Sequence, residues 1–396
     1  MKGSIELFPQ LLEVSDEGQR RSCLVKEVSA SGEIISTELW LVYPSDVPMP
    51  KDSNCDSYLL GILLLGMKLG SDIIVHGSVS RLLLSNLTEL QLIWNKWCPE
   101  IYSLVEIKVD IIRESDIQVA GAVVAFSGGV DAQFSTYIHA TEKAGYCTQK
   151  LRAGVLVHGW DIPITDIKGF SGATNKATKA LASLGLDLLV VKTNVSRVGI
   201  VNWEHRCGMA VAAVLNGLSS YAGTGLIGSG EPYDALPIPW GSHPMTDPFF
   251  SSGNFRIIND GAGFSRSEKI RILSKWSVGI KNLRFCWAGD INDANCGSCE
   301  KCVRTRLNFL LADNLNPSCF DTPFEASIFR SIVLGNEAAR TEWKLIRSEM
   351  EHTRKGIEYL PHVEKVLQRQ PSSIFNYILK KGSKSRIIVK KIIEKF

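Results

Sequence analysis

The feature that most constrains the fold is an alternation of short apolar runs with longer amphipathic segments between residues 119 and 227. Strands that are apolar along their whole length are typical of a parallel sheet covered by helices on both faces. In such sheets ligands bind beyond the carboxyl ends of the strands. We therefore expect an α/β fold with its site at that edge. The pattern predicts strands at 122–126, 154–157, 188–191 and 221–227, with helices at 133–144, 173–184 and 204–218.

Two further segments flank this central series. Residues 1–116 also alternate strand and helix patterns and predict a separate, small α/β domain. Residues 316–396 predict a helical extension, with two helices in 324–369 and a break at 369–373. The predicted domains are therefore 1–116, 117–315 and 316–396. Within the first, the pattern predicts strands at 38–44, 72–77 and 103–112 and helices at 58–69 and 80–97.

The charge distribution bears on possible partners. The 396 residues carry a net charge of only +3, so the whole molecule is not an obvious nucleic-acid binder. The segment 380–396, however, has seven lysines and arginines and one glutamate, a net +6, with isoleucines and a valine between them. This pattern fits an amphipathic helix that docks by its apolar face. It also fits a patch for an anionic partner, RNA or protein.

The start of the chain gives an expectation about location. Acidic residues stand in the first 17 positions, where a secretory signal has its apolar core. The most apolar run, at 58–70, is too short to span a bilayer and contains Lys68. We expect a cytoplasmic protein that does not bind membranes.

A glycine pair follows the first strand of the central series, in the string "VVAFSGGVDAQ" at 123–133. Gly128 and Gly129 allow the backbone to approach a ligand, and successive N–H groups can then hold a phosphate together with the Ser127 hydroxyl and the following helix N-terminus. Asp131 either caps that helix or binds a Mg²⁺ ion that bridges phosphates. The alternative is a tight strand-to-helix turn without a ligand. The spacing matches neither a Walker A loop nor a dinucleotide-binding loop.

Four of the ten cysteines are close together in the sequence. Their spacing, C-x9-C-x2-C-x2-C, suits tetrahedral zinc, and an iron–sulfur cluster is the chemical rival. Four protein ligands leave no open position, so the metal would be structural. The other six cysteines are scattered and typical of core residues. The predicted ligands are Cys286, Cys296, Cys299 and Cys302.

The string "AFSGGVDA" resembles the pyrophosphate loop, Ser-Gly-Gly-x-Asp-Ser, of the PP-loop ATP pyrophosphatases with an adenine-nucleotide α-hydrolase-like (HUP, Rossmann-like) fold. The resemblance implies that the protein binds ATP and Mg²⁺, cleaves ATP between its α and β phosphates and adenylates a substrate. One position departs from the pattern, since Ala132 replaces the final serine and removes a hydroxyl donor. The implied ATP-binding residues in the loop are Ser127, Gly128, Gly129, Val130, Asp131 and Ala132.

Within that family, the chain is similar to the 7-cyano-7-deazaguanine synthase (QueC-like) family over about 119–312. The four-cysteine segment that runs into Arg-x-x-x-Phe and the short segment "GAGFSRSEKIRIL" at 261–273 carry this similarity. It implies zinc and a deazapurine-like substrate. QueC-like proteins with extra segments occur in bacterial gene clusters, including antiviral systems, and some join a deazaguanine to a partner protein. The N-terminal unit, the C-terminal helices and the missing Gly-Arg-Asn run depart from the family.

Several polar residues near strand ends are candidates for chemistry. Val157 ends the second predicted strand, and His158 follows it. Both are candidates for contact with ATP, although His158 is equally well explained as a satisfied polar residue. Asp161 is a candidate for binding metal or a substrate amine. Arg266 and Lys269 would clamp phosphate, with surface helix charges as the alternative. Further candidates are Asn194, Arg197, Glu204, His205, Arg206, Asp234, Trp240, His243 and Asp247.

These patterns lead to one preferred function and two rivals. The preferred function is an ATP-dependent ligase or synthase that activates a carboxylate or carbonyl oxygen, after which an amine attacks to give an amide or nitrile. The catalytic residues would be Asp131, Asp161, Arg266 and Lys269. The first rival is thiolation or amidation of RNA or a sugar, with the basic tail holding RNA. The second is a catalytically degenerate nucleotide-binding scaffold.

Overall fold

A computed structural model describes residues 2–114, 117–286 and 294–369. The basic segment 380–396 and most of the predicted break at 369–373 lie outside the described residues. The strands are β1 (Ser4–Pro9), β2 (Glu13–Ser15), β3 (Gly18–Val28), β4 (Ile34–Tyr43), β5 (Asp72–Ser80), β6 (Ile107–Arg113), β7 (Ala122–Ala125), β8 (Leu151–His158), β9 (Asp187–Thr193), β10 (Thr224–Gly228) and β11 (Arg256–Asp260). The helices are α1 (Asp56–Leu69), α2 (Arg81–Trp97), α3 (Val130–Ala140), α4 (Ile167–Ala182), α5 (Trp203–Asn216), α6 (Arg266–Leu273), α7 (Ser277–Lys281), α8 (Glu300–Leu311), α9 (Glu337–Thr353) and α10 (Leu360–Gln368).

The described strands form one mixed, mostly parallel sheet in the order β11-β10-β7-β8-β9-β4-β3-β1-β5-β6, with β2 paired to β3. The predicted α/β class is confirmed. All five strands of the central series, from β7 to β11, pair in parallel. Read from β9 to β11, their order is that of a doubly wound sheet, in which the connections reverse direction between the first and fourth strands. The reversal point, where ligands bind in such sheets, lies between β7 and β10.

The N-terminal strands extend the same sheet. β4 runs antiparallel to β9, with Leu41 opposite Thr193. The Asn194 side chain strengthens this junction, because its Oδ1 accepts from the Trp40 N–H at 2.9 Å and its Nδ2 donates to the Glu38 carbonyl at 2.7 Å. Residues 1–116 therefore carry no sheet of their own among the described residues. The boundaries of the three predicted domains stay predictions.

Helices cover both faces of the sheet, as the apolar strands predict. One core lies between the sheet and α1, α2 and α5. On the other face, α3, α4 and α6 pack together with α7 and α8. A third apolar cluster joins α8 to the C-terminal helices α9 and α10, which confirms the two helices predicted in 324–369. No helix in the described part of the chain combines the length and apolar character needed to cross a membrane.

Most predicted elements are present with shifted ends, and four strands were not predicted. β1, β2 and β3 mix apolar and charged side chains, which weakens the pattern. All three have an antiparallel partner, and β1 also pairs in parallel with β5. β11 lies within segment 228–260, where the sequence pattern predicted no strand. Its strand character depends on pairing with β10, from Thr224 opposite Arg256 to Gly228 opposite Asp260.

Candidate nucleotide site and metal centre

The glycine-pair loop connects β7 to α3 at the carboxyl edge of the sheet. Gly128 has a φ of +81°, a conformation that side chains other than glycine rarely adopt. Gly129 is the N-cap of α3, and its N–H donates to the Ser127 Oγ at 3.3 Å. The helix begins at Val130, three residues before the predicted start. Asp131 therefore lies in the first turn, where the helix dipole favours a negative charge.

Asp131 faces two basic residues of α6. Arg266 Nη2 lies 2.9 Å from Asp131 Oδ2, and Lys269 Nζ lies 3.1 Å from Asp131 Oδ1. Lys269 Nζ also donates to the Ser229 carbonyl at 2.6 Å. Burial alone would raise the pKa of Asp131, but the charges of Arg266 and Lys269 outweigh burial and lower that pKa below its usual value. The structure thus brings three of the four predicted catalytic residues into direct contact.

The start of α6 explains how the two basic side chains reach Asp131. Ser265 caps the helix by accepting from the Glu268 N–H at 3.4 Å, and Glu268 Oε2 accepts from the Ser265 N–H at 2.8 Å. This reciprocal capping box fixes the first turn of α6. Arg266 and Lys269, three positions apart, then project from the same face of the helix. The segment that carries part of the family resemblance therefore builds the helix start that directs both cations to Asp131.

A cavity of about 240 Å³ opens beside the loop, at the carboxyl ends of β7, β8 and β10. Its inner wall is apolar, with side chains from β8 and α5. Its rim is charged, and three cations face two carboxylates there, an excess of positive charge that favours an anion. The apolar wall suits a base or another planar group. The charged rim residues are Asp131, Asp161, Arg266, Arg284 and Lys301.

Arg284 connects the loop to the fourth predicted catalytic residue, Asp161. Arg284 Nη2 lies 2.6 Å from Asp161 Oδ2, and the Arg284 backbone N–H donates to the Gly128 carbonyl at 2.9 Å. Asp161 is therefore at the cavity, and it is held by an arginine that also touches the glycine loop. Beside it, the indole Nε1 of Trp160 is buried without a hydrogen-bond partner among the described residues. A ligand in the cavity would offer that donor an acceptor.

Lys301 completes the charged rim from the first turn of α8. Burial, together with the nearby charges of Arg266 and Arg304, lowers the pKa of Lys301 to about 7. An arriving phosphate would favour the charged form of this amine. Lys301 stands between the metal-cluster residues Cys299 and Cys302 in the sequence, so its position depends on that cluster.

His158 and Val157 have different surroundings. Val157 lines the cavity. The His158 ring stacks on Phe170, with ring centres 3.8 Å apart, and its Nε2 lies 2.9 Å from the Pro163 carbonyl. His158 is therefore a buried residue whose ring nitrogen has a partner within the fold, which is the alternative explanation that the sequence also offered for it. Its ATP contact stays a prediction.

Other polar candidates are held by contacts within the fold. Asn194 fastens β4 to β9, as described above. Arg206 donates to the carbonyls of Val198 and Gly61 at 2.9 and 3.0 Å. Asp247 accepts from the His243 N–H at 2.9 Å, and burial raises the pKa of Asp247 to about 6. None of these three lines the cavity among the described residues.

The four clustered cysteines converge on one point. Their sulfur atoms all lie within 4.8 Å of one another, with Cys286 and Cys299 sulfurs 3.7 Å apart and Cys296 and Cys302 sulfurs 3.8 Å apart. Four thiolates each about 2.3 Å from one zinc ion in a tetrahedron lie about 3.8 Å apart. A cluster that spreads its ligands over several irons needs wider separations. The cysteines can therefore hold a single tetrahedral ion such as zinc.

Asn295 fastens this centre to its surroundings. Its Oδ1 accepts from the N–H groups of Phe285 and Cys286 at 3.1 and 3.3 Å, and its Nδ2 donates to the Leu283 carbonyl at 2.9 Å. The Cys299 N–H points to the Cys296 sulfur at 3.3 Å. The ligand-bearing segments also carry Arg284 and Lys301, so the centre positions two of the three rim cations.

The sequence alone did not single out Arg284, Trp160 or Gly228 as site residues. Arg284 stands two positions before the first clustered cysteine, which was the available signal for it. Gly228 ends β10, and a Cβ added there would lie 2.7 Å from the carbonyl carbon and oxygen of Asp131. Only a glycine permits this close approach of β10 to the start of α3.

Replacing Gly228 with alanine is expected to push Asp131 away from Arg266 and Lys269. The clash is with backbone atoms, which cannot swing aside, so the free energy of unfolding should fall by about 1–3 kcal/mol. Gly263→Ala is the matched control, because a Cβ at that position meets no atom within 4 Å. Urea unfolding of both variants measures the effect. Equal stability of the two would contradict the close approach.

Neither protein-family models, nor curated proteins, nor solved structures gave a significant match to this chain. Arguments about its function therefore depend on the site itself and on the resemblance of its motifs.

Proposed function

We propose that the protein is an ATP-dependent adenylating enzyme of the PP-loop pyrophosphatase type, QueC-like, that activates a carboxylate or carbonyl oxygen. In this reaction the substrate oxygen attacks the α phosphorus of ATP, and pyrophosphate leaves. An amine or ammonia then attacks the activated carbon, and AMP leaves to give an amide. A second activation of the amide oxygen would give a nitrile.

One observation carries the proposal. A carboxylate in the first turn of a helix, after a glycine pair at the reversal point of a doubly wound sheet, faces two cations from a second helix. The doubly wound order places ligands at this point, and the helix N-terminus favours phosphate. The resemblance of "AFSGGVDA" to the pyrophosphate loop adds an independent reason for assigning the ligand as ATP.

The contacts of Asp131 suggest how its partners change when Mg-ATP binds. Both carboxylate oxygens of Asp131 face cations, at 2.9 and 3.1 Å. Mg²⁺ is usually held by one or two carboxylates together with substrate phosphates, and a single aspartate at the loop fits that pattern. When bound, the ion would offset the charge of the phosphates. Asp131 would then contact the metal, and Arg266 and Lys269 would be released to stabilise the departing pyrophosphate.

The remaining rim residues fit separate tasks. Arg284 and Lys301 add positive charge where the phosphates would lie, and Asp161 is suited to orient an attacking amine. The apolar wall from β8 and α5 suits the adenine ring. Ala132 lacks the hydroxyl that the family pattern has at this position, so one donor to pyrophosphate is missing. A single missing hydrogen bond to a charged group costs about 1.5–3 kcal/mol, which weakens the site without removing it.

The metal centre has a structural role in this proposal, with zinc as its ion. The substrate that the resemblance implies is a carboxylated deazapurine, which the enzyme would either release as a free product or join to a partner protein. The resemblance alone also suggests that the protein acts within a bacterial defence gene cluster.

The test is to incubate the protein with Mg-ATP, 7-carboxy-7-deazaguanine and ammonia and to measure AMP by chromatography. AMP that depends on the acceptor supports the proposal. ATP binding without AMP release, over a broad screen of carboxylate acceptors, would instead support a nucleotide-binding scaffold. A protein that binds no ATP at all would overturn both functions.

A further inference from the structure

The C-terminal helix α9 reaches the glycine-pair loop through a chain of buried charges. Arg266 contacts Asp131 on one side, and on its other side its Nε lies 3.3 Å from Glu342 Oε2 of α9. The side chains of Arg266 and Glu342 are only 8% and 2% exposed. The arginine is therefore held between a carboxylate of the loop and a carboxylate of the C-terminal extension.

Glu342 also reaches the helix that begins at the metal centre. Arg304 Nη1 of α8 lies 3.6 Å from Glu342 Oε2, and Arg304 Nε lies 3.0 Å from Glu300 Oε1. The next residue of α9, Trp343, donates from its indole to Glu300 Oε1 at 2.7 Å. Two consecutive residues of α9 thus connect α6 to α8, and with them the loop to the metal centre.

These contacts are costly to break because they are buried. An ion pair at the surface contributes little to stability, whereas removing one partner of a buried pair leaves an uncompensated charge. Burial opposes the charge of Arg266, but Asp131 and Glu342 together raise the pKa of Arg266 above its ordinary value. Glu231, also buried, lies near the same group, but burial and the charge of Glu342 raise the pKa of Glu231 to about 7.

A second carboxylate matters once a nucleotide binds. If Asp131 turns to Mg²⁺, Arg266 keeps its contact with Glu342 and a contact of its Nη2 with the Gly230 carbonyl at 3.3 Å. Glu342 is then the carboxylate that would keep the guanidinium at the rim of the cavity.

We propose that Glu342 is a positioning residue of the nucleotide site: it holds Arg266 at the rim of the cavity, where Arg266 pairs with Asp131 before the nucleotide binds and faces the phosphates afterwards. The inference rests on the proposed function and deepens it, since it makes the C-terminal extension part of the site. The competing explanation is that Glu342 only docks α9 onto the rest of the fold.

Glu342→Gln separates the two explanations, because glutamine keeps the size and removes the charge. Glu349→Gln is the matched control. Glu349 lies two turns further along α9 and binds α6 through Ser267 at 2.5 Å and Arg271 at 3.5 Å, neither of which contacts Asp131. Both variants lose one charge from the same helix and one connection to α6. Only Glu342 connects to the loop.

In the full-length protein, Glu342→Gln should lower AMP release at saturating ATP by about tenfold, with KM for ATP changed by less than about threefold. Glu349→Gln should leave both within about twofold. Glu342→Asp keeps the charge and should restore part of the rate. Equal kinetics for the two glutamine variants at equal melting temperature would overturn the proposal.

Hydrogen–deuterium exchange of the peptide covering 126–134, without nucleotide, tests the same linkage independently of activity. Glu342→Gln should speed exchange in this peptide, and Glu349→Gln should not. If the wild-type protein neither binds nor cleaves ATP, the proposed function fails, and the exchange comparison still decides whether Glu342 holds the loop. Unchanged exchange in Glu342→Gln would overturn the positioning role even if ATP were cleaved. If Glu342→Gln fails to fold, Glu342→Asp takes its place in both measurements. Aspartate is shorter by one methylene group, so wild-type exchange and wild-type kinetics in that variant would overturn the positioning role.

Discussion

Replacing Asp131 with asparagine is expected to abolish AMP formation. Asparagine cannot supply the negative charge that would hold Mg²⁺, and the loss of one preorganised charge at a reacting centre costs on the order of 100-fold or more in rate. The substitution also leaves the buried side chains of Arg266 and Lys269 without their shared carboxylate. ATP binding measured by calorimetry and AMP measured by chromatography, with and without acceptor, report the effect.

Asp187→Asn is the matched control for this substitution. Asp187 is exposed and is the first residue of β9, so it lies at the amino ends of the parallel strands, whereas the glycine loop lies at their carboxyl ends. The control should retain wild-type AMP formation. Circular dichroism distinguishes a folded Asp131→Asn protein that has lost activity from one that has unfolded. A folded Asp131→Asn protein with undiminished AMP formation would show that the ATP site lies elsewhere.

Removing the metal is expected to have the second large effect, on both stability and nucleotide binding. Structural zinc contributes roughly 10–16 kcal/mol of apparent binding energy in small peptides, so the segments around the four cysteines should lose their order without it. Those segments carry Arg284 and Lys301, which line the cavity. Cys302→Ser should therefore lower the bound metal from about one ion per chain to near zero, lower the melting temperature and weaken Mg-ATP binding.

Cys147→Ser controls for the loss of a thiol, since Cys147 is exposed and outside the cluster. Plasma mass spectrometry of the purified protein identifies the metal, and zinc is the expected element. Iron with visible absorbance would contradict the zinc assignment. A Cys302→Ser protein that keeps its metal and its ATP affinity would contradict the connection between the centre and the cavity.

The contacts around the cavity extend into the C-terminal segment of the chain. The glycine loop and the cysteine cluster belong to the part that resembles the PP-loop family. Glu342 and Trp343 belong to the C-terminal extension, yet they contact α6 and α8, which carry two of the three rim cations, Arg266 and Lys301. The N-terminal strands, by contrast, join the sheet at β9, away from the reversal point between β7 and β10.

Local patterns in the sequence predicted much of this architecture. Runs of apolar residues identified four of the five parallel strands, and the spacing of the cysteines identified a cluster that the structure confirms as compact. The glycine pair and Asp131 could be recognised from the sequence, because a backbone with positive φ favours glycine and a helix start favours an acidic residue. β11 and β1 to β3 escaped prediction because polar and charged residues interrupt their apolar positions, so that no apolar run marks them.

The sequence by itself determined the α/β class, the glycine loop and the cluster of four cysteines, since each depends on residues close together in the chain. Only the tertiary structure decided that Arg266 and Lys269 face Asp131 across 135 and 138 positions and that Arg284 holds Asp161. It also decided that the N-terminal strands extend the same sheet and that Glu342 contacts Arg266. Such contacts form when separate helices pack on one sheet through their apolar faces, which no local pattern encodes. Once buried there, each of these charges needs a partner.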